Sequence, residues 1–246
     1  MLMRVREAEP RPTGVSPRFS ELQGSKVAVL DVSADLGGDV ALAFADHGAR
    51  LHVSIRGSAP ETDALLSVLA AADADLASVQ LQDGVRGPSM AATTADAAKA
   101  EGHLDAAIHC VSLDPQMFAD VGDFDELEAA LAASLGDSLR AAEVAVNRMR
   151  LVWARGAIIT LVRMPVFGGP AASVFSGITR HAISAATRDA AIRAADLGVR
   201  LNTVFVAGDA AGEPTAPCAQ TAADLALYLA STSSAAMNGM VFDAKR

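Results

Sequence analysis

Short apolar runs alternate with longer segments of helical pattern along nearly the whole chain. Seven runs have the length of a strand and are apolar at almost every position: 26–30, 51–55, 78–81, 106–110, 157–162, 201–206 and 240–242. Between them, hydrophobic side chains recur at helical spacing in segments 38–47, 61–72, 90–101, 125–150, 173–197 and 221–230. Strands that are apolar on both faces are typical of a parallel sheet covered by helices on both sides.

The strict alternation of strand and helix predicts an α/β fold. We expect a Rossmann-like, doubly wound, parallel seven-stranded sheet flanked by helices, built as a single domain over residues 25–246. Four glycines, Gly48, Gly102, Gly156 and Gly198, stand at or just past predicted helix ends, where a left-handed cap is expected. Residues 1–24 are rich in arginine and proline and have no apolar stretch of signal-peptide type. They are expected to form a flexible N-terminal extension, or alternatively an arm that binds a partner.

Composition narrows the classes of partner. Of the 246 residues, 51% are hydrophobic and 20% charged, as in a globular protein with a large buried core. The net charge of −9 argues against nucleic acid and anionic membranes as partners. Cys110 and Cys218 cannot form a disulfide framework, and no apolar run approaches the roughly 18 residues of a membrane span. These features predict a cytoplasmic protein.

Five segments, in order along 19–243, resemble the short-chain dehydrogenases/reductases. They match the first strand of that family, its first helix with the second strand, the entry to the fourth strand, the sixth strand and the C-terminal strand. In this chain they read Gly24-Ser-Lys-Val-Ala-Val-Leu30, Ala41-Leu-Ala-Phe-Ala-Asp-His-Gly-Ala-Arg-Leu51, Gly102-His-Leu-Asp-Ala-Ala-Ile108, Arg200-Leu-Asn-Thr-Val204 and Met237-Asn-Gly-Met-Val-Phe-Asp243. The resemblance implies a dehydrogenase fold, and the sites that it would carry can be followed position by position.

The glycine-rich turn of the family falls on Leu30-Asp31-Val-Ser-Ala-Asp35-Leu-Gly37. Glycines there let the backbone close tightly, so that a pyrophosphate reaches the helix N-terminus. Asp31 and Asp35 replace two of the three glycines. Two like charges ~4 Å apart cost about 4 kcal/mol at an effective dielectric of 20, which is roughly a thousandfold in affinity. We expect the two carboxylates to cap the helix instead; a bound cation that restores phosphate binding is the alternative.

The other positions that would contact the cofactor match the family only in part. Ile55 stands where the family carries an acidic residue for the ribose, while Asp83 matches the family's aspartate on the adenine side. Arg56 is expected to be a solvated arginine, with phosphate binding as the alternative. The Asn-Asn-Ala-Gly motif is replaced by His109-Cys-Val-Ser112. Because neighbours on a strand point to opposite faces, His109 and Cys110 are expected to be packing residues and not a catalytic pair.

All four positions of the catalytic tetrad are changed. The resemblance places them at Ser134, Val162, Phe175 and Thr179, where the family has asparagine, serine, tyrosine and lysine. A phenyl ring has no proton to donate to a carbonyl oxygen, so Phe175 excludes acid–base work at that position. The only tyrosine of the chain is Tyr228, near the C-terminus, and no Tyr-x-x-x-Lys occurs anywhere.

Further sites are not supported. The family's substrate lid would follow Val206-Ala207-Gly208, but segment 209–220 is short and polar, so the lid is expected to be shortened. The five histidines have no metal-ligand spacing: His47, His52, His103, His109 and His181. Ser176 lacks the glycine and the strand-to-turn context of a nucleophile elbow. We therefore expect no cofactor, no metal and no catalytic residue.

These changes predict a catalytically inactive subunit of a hetero-oligomeric dehydrogenase. The resemblance implies assembly through segments 125–150 and 173–197 and through the C-terminal strand, as a tetramer with an active NAD(P)-dependent paralogue. The family includes a hydroxyacyl-CoA-type precedent, the non-catalytic subunit of 2-[hydroxy(phenyl)methyl]succinyl-CoA dehydrogenase. An alternative is a nucleotide- or acyl-CoA-sensing module that uses Arg56 and Asp83. A third hypothesis is an enzyme of unrelated chemistry based on His109, Ser134 or His181, although no base–nucleophile–oxyanion set is evident.

Overall fold

The computed structural model describes residues 19–33, 36–82, 88–113, 124–164, 172–207 and 216–244, and structural statements below refer to these residues. Seven strands form one sheet in the order β3-β2-β1-β4-β5-β6-β7, and every neighbouring pair is parallel. The strands are β1 Lys26–Val32, β2 Arg50–Arg56, β3 Asp75–Gln82, β4 Ala106–Ser112, β5 Gly156–Arg163, β6 Val199–Val206 and β7 Val241–Ala244.

Helices cover both faces of the sheet. They are α1 Gly38–Asp46, α2 Ala59–Ala71, α3 Met90–Glu101, α4 Phe124–Leu151, α5 Ala172–Ala194 and α6 Ala216–Ala230. Helix α1 packs against α2 and α6, and α3 packs against α4. Helices α1, α2 and α6 lie on one face, while α3, α4 and α5 lie on the other. Right-handed crossovers account for α1 to α5, whereas the connection β6–α6–β7 has the opposite hand. The predicted doubly wound, seven-stranded sheet is confirmed.

Two predicted boundaries differ from the structure. Helix α6 begins at Ala216 and not at residue 221, so the connection from β6 is shorter than expected. At the other end, Ser20–Leu22 forms a short 3-10 helix, and both Phe19 and Leu22 are buried. Residues 19–24 therefore belong to the domain and not to an extension. The remainder of the predicted extension, 1–18, lies outside the described residues.

The predicted glycine caps are correct at three helix ends and wrong at the fourth. Gly48, Gly102 and Gly198 all have positive φ. Gly156 instead begins β5, and the left-handed turn after α4 falls on Trp153, with φ 55°. Gly156 is needed for a different reason: a Cβ there would lie 2.6 Å from the Met149 Cε and 3.1 Å from the Asp105 carbonyl oxygen.

Three apolar clusters fill the space between sheet and helices. The first lies beneath α1 and α6 and includes Val29, Phe44 and Ala223. The second lies beneath α3, α4 and α5 and includes Leu30, Ala145 and Ile158. A third, smaller cluster occupies the carboxyl end of the strands: Val111, Leu113, Leu127, Ala130, Leu131, Val162, Ile183 and Phe205.

Arg200 on β6 caps the end of α6. Its Nη1 donates to the carbonyl oxygens of Leu229 at 2.7 Å and Ser234 at 3.1 Å, and its Nη2 donates to that of Ser231 at 3.1 Å. The last carbonyls of a helix lack partners within it, and the negative end of the helix dipole favours a cation. Burial lowers the pKa of the Arg200 guanidinium, so its position depends on these hydrogen bonds.

We predict that Arg200→Met lowers the free energy of unfolding by about 3 kcal/mol, because several buried carbonyls lose a charged donor. Urea titration monitored by circular dichroism measures this change. Arg140→Met, at an exposed arginine of α4, is the matched control and is expected to leave the midpoint unchanged. Equal midpoints for the two variants would contradict the capping role.

His109 on β4 is a fully buried histidine on the face of the sheet opposite the first cluster. It pairs in register with Leu30 of β1 and Thr160 of β5, and its ring is completely inaccessible. Neither ring nitrogen has a hydrogen-bond partner among the described residues. Burial lowers the pKa of His109 to about 4, and the nearby Asp137 carboxylate opposes this shift only in part. The imidazole is therefore held neutral at physiological pH.

We predict that the burial of His109 lowers the free energy of unfolding as the pH is lowered from 6.5 to 4. The unfolded chain protonates this histidine at about 6.5 and the folded chain only at about 4, so stability falls with pH across that window, by about 3 kcal/mol in total. His109→Leu is expected to remove this contribution, and exposed His181→Leu to retain it. Urea unfolding of the three proteins at both ends of the window measures it, and a slope in His109→Leu equal to that of the parent would contradict it.

Candidate functional site

The carboxyl edge of the sheet is where a doubly wound fold binds its ligands. The strand order reverses between β1 and β4, and the crevice at such a point is formed by the ends of these strands and the start of α1. Asp31 and Ser33 lie at the end of β1, Arg56 at the end of β2, and Ser112 and Arg163 at the ends of β4 and β5.

Asp31 and Arg56 form an ion pair in this crevice. The Arg56 Nη2 lies 2.5 Å from the Asp31 Oδ2, and the Asp31 side chain is only 9% exposed. Asp31 has φ 58°, so the backbone keeps the left-handed conformation in which the related family has glycine. Its N–H donates to the Ser54 Oγ at 2.8 Å. A carboxylate and a guanidinium thus occupy the turn.

This arrangement corrects two expectations. Asp31 does not cap α1: the N-cap residue is Gly37, with φ 95° and no side-chain cap. Arg56 is neither simply solvated nor free for a phosphate, because its guanidinium pairs with Asp31. Asp35 lies outside the described residues.

The start of α1 lies directly against β4. A Cβ at Gly37 would fall 2.5 Å from the Cys110 Sγ, so only glycine fits this contact. Burial raises the pKa of the Cys110 thiol, with a smaller contribution from the Asp31 carboxylate. Cys110 lies in the first cluster and His109 faces the opposite layer, which confirms their predicted packing role.

The remaining cofactor positions offer little polar chemistry. The Ile55 side chain is buried in the first cluster, at the position of the family's acidic ribose ligand. Asp83 lies outside the described residues. Of the three lysines in the sequence, Lys26 begins β1 at the opposite edge, Lys99 lies near the end of α3, and Lys245 is not described.

Two of the predicted tetrad positions are buried. Val162 is 0% exposed and packs in the third cluster with Val111, Leu131 and Phe205. Thr179 is 0% exposed as well, and its Oγ1 has no hydrogen-bond partner among the described residues. Ser134 lies on α4 and Phe175 on α5, but their side chains are outside the description. At Val162 and Thr179 the structure has apolar packing and an enclosed hydroxyl.

Beside Thr179, an arginine closes the third cluster. The Arg180 guanidinium lies 4.1 Å above the centre of the Phe205 ring and pairs with the Asp243 carboxylate on β7. Our sequence analysis missed this contact and the Asp31–Arg56 pair. Neither has a local signal, because the partners are separated by 63 and 25 residues and no motif links them.

Other predicted features lie away from this edge or outside the description. Tyr228 is on α6, and its hydroxyl donates to the Ser233 carbonyl oxygen at 3.4 Å. Residues 208–215, which include most of the shortened lid, are not described. Among the described residues, no group of three or more His, Cys, Asp and Glu side chains could hold a metal. No helix in the same part of the chain is long and apolar enough to cross a membrane.

Comparisons with known proteins agree with the fold. The family model described as "Enoyl-(Acyl carrier protein) reductase" matches residues 32–208. A short-chain dehydrogenase from Mycobacterium smegmatis has 22% identity, covers 98% of both chains and has a TM-score of 0.71. The enoyl-[acyl-carrier-protein] reductase (NADH) of Aquifex aeolicus has 18% identity, covers 91% of this chain and 95% of its own, and has a TM-score of 0.66.

A short-chain type dehydrogenase/reductase from Mycobacterium marinum is similar to the same extent, with 21% identity over 92% of this chain and 96% of its own and a TM-score of 0.71. No curated protein matches the chain. At these identities the solved structures support the fold alone, while the family model spans more than half of the chain. The chain belongs to the short-chain dehydrogenase/reductase superfamily, in the family described as enoyl-(acyl carrier protein) reductase.

Proposed function

We propose that this chain is a catalytically inactive subunit that assembles with an active, NAD(P)-dependent short-chain dehydrogenase in the cytoplasm. The observation that carries the proposal is the burial of Val162 and Thr179, where the family has its catalytic serine and lysine. A methyl-bearing side chain and an enclosed hydroxyl supply neither a hydrogen-bond donor to a substrate carbonyl nor an ammonium that lowers the pKa of an acid.

The described residues of the crevice also disfavour a dinucleotide. The phosphates of a dinucleotide would have to approach the turn at Asp31, where a nearly buried carboxylate already pairs with Arg56. A phosphate must displace that carboxylate to reach the guanidinium, and it then meets an uncompensated negative charge at close range. Ile55 adds an apolar contact in place of a ribose ligand. The reaction of the proposed complex is therefore assigned to the partner's residues.

The proposed assembly face is the groove between α4 and α5. It encloses about 460 Å³ above β5 and β6, and its walls are small or apolar side chains, among them Leu139, Ala142, Val146, Ala186 and Ala190. Charged side chains stand on its rims, including Glu143, Arg150 and Asp189. Apolar walls with a charged rim are typical of a protein interface, and the floor adds the polar side chains Thr160, Asn202 and Thr203.

The partner's substrate class is proposed from the family precedent. A hydroxyacyl-CoA dehydrogenase with one non-catalytic subunit would use this chain to complete a tetramer. The alternative function, a nucleotide- or acyl-CoA-sensing module, depends on Arg56 and Asp83. The pairing of Arg56 with Asp31 weakens that alternative, since its cation is already engaged.

Isothermal titration of the purified chain with NADH, NADPH and acyl-CoAs is expected to give no binding heat. In the described part of the crevice, the Asp31–Arg56 pair occupies the turn and Ile55 is apolar, which disfavours both classes of ligand. Heat with an acyl-CoA or a nucleotide, without turnover, would favour the sensing module. Oxidation of NADH or NADPH with any carbonyl or enoyl substrate would contradict the non-catalytic role.

Ala190→Glu is expected to weaken association with the active partner by roughly 30-fold or more, because a carboxylate would be buried without a counter-ion in the groove. Co-expression with a candidate active short-chain dehydrogenase, followed by sedimentation velocity, measures the loss. Ala70→Glu, at an exposed alanine of α2 on the opposite face, is the matched control. Assembly and full activity of the reductase in the absence of this chain would refute the proposal.

A further inference from the structure

Strand β1 has one residue more than β2 where the two strands reach the carboxyl edge. The register advances three positions on β1, from Val29 to Val32, while it advances only two on β2. An extra residue of this kind is a β-bulge, and it re-aims the side chain that it carries. Asp31 lies in the bulge with φ 58°, and its N–H donates to the Ser54 Oγ at 2.8 Å. The Asp31 carboxylate is thereby directed toward Arg56 at the end of β2.

The Asp31 carboxylate lies against the Arg56 guanidinium in the way that a bound anion would. The Asp31 side chain is 9% exposed and the Arg56 side chain 52% exposed, so the anion is enclosed while the cation stays half open to solvent. Arginine binds carboxylate and phosphate oxygens through the same charge-assisted hydrogen bonds. The Asp31 Oδ2, 2.5 Å from the Arg56 Nη2, therefore takes a position suited to an oxygen of a phosphate.

The fold does not require a side chain at position 31. A residue with positive φ is usually glycine, and a bulge commonly has glycine at such a position. An ion pair with a half-exposed arginine adds little to stability, and enclosing the carboxylate costs desolvation. Without the carboxylate, Arg56 stays hydrated through its exposed half. The effect of the Asp31 side chain therefore falls on the crevice more than on folding.

We propose that Asp31 is an internal anion that closes an anion site on Arg56. The carboxylate of the chain takes the place of a ligand's phosphate, so the contact is autoinhibitory, and removal of the carboxylate opens the site to pyrophosphate and phosphate esters. The contact lies at the carboxyl edge of the sheet and not in the groove between α4 and α5. The inference therefore does not rest on the proposed assembly.

Isothermal titration with inorganic pyrophosphate tests this contact. Asp31→Gly is expected to bind pyrophosphate roughly 30-fold more tightly than the parent chain, or more, because a negative charge at close range is removed. Adding Arg56→Ala to this variant is expected to abolish the gain, since the cation that holds the phosphate is lost. At constant ionic strength, pyrophosphate is expected to raise the unfolding temperature of Asp31→Gly and to leave that of the parent unchanged.

Asp73→Gly is the matched control. Asp73 is exposed, has φ 54° and follows α2 at the opposite edge of the sheet, so this substitution removes the same charge from a similar backbone conformation. It is expected to leave the affinity for pyrophosphate at the value of the parent. Asp31→Asn keeps the shape of the side chain and removes its charge. It is expected to gain affinity as well, and it provides the test if the glycine variant does not fold.

Three outcomes would overturn the inference. The first is equal affinity for pyrophosphate in the parent and in the folded variants of Asp31. The second is a gain that persists after Arg56→Ala, which would locate the anion on other residues. The third is a gain of the same size in Asp73→Gly, which would reduce the effect to net charge. Sedimentation with the partner dehydrogenase is a separate measurement, so failure of the proposed assembly would leave these results unchanged.

Discussion

The pairing of parallel strands between two helical layers is the constraint on which this molecule depends. Parallel neighbours require a crossover after every strand, and the crossovers supply the helices that keep both faces of the sheet dry. Parallel pairing also places the first residues of all strands at one edge of the sheet and their last residues at the other. The sheet thereby separates the chemistry of the chain into an amino edge and a carboxyl edge.

At the carboxyl edge, positions that serve ligands or catalysis in the family take part in contacts within the chain. The Asp31–Arg56 pair fills the turn, Gly37 lies against Cys110, and Val162 packs with Phe205. Apolar burial in such a cluster stabilises the folded chain by about 25 cal/mol per Å². The family relation gives the fold of a reductase. The packing of these residues is the reason for proposing that this fold serves assembly.

The parts of the fold that could be predicted are those set by local pattern. Buried strands were found because apolar runs of strand length are unambiguous when helices separate them, and Met90–Glu101 agrees with its predicted bounds. Gly48, Gly102 and Gly198 were recognisable as caps because glycine is the usual left-handed residue. The turn at Trp153 was missed for the same reason, since no propensity places tryptophan there. Gly156 was misassigned because a close approach to Met149 depends on tertiary packing, which sequence does not display.

Contacts between segments that are distant in sequence could not be predicted, because the local sequence pattern does not identify the partners. Arg200 could be matched to the sixth-strand signature, but its role at the end of α6 depends on carbonyl groups, which carry no residue identity. The expectation that Asp31 disfavours phosphate on charge stays a prediction. The structure adds the partner, Arg56, a cation that holds the carboxylate in place and that a phosphate would otherwise use. An ion pair of this kind converts two residues that suggest a ligand into a closed internal contact.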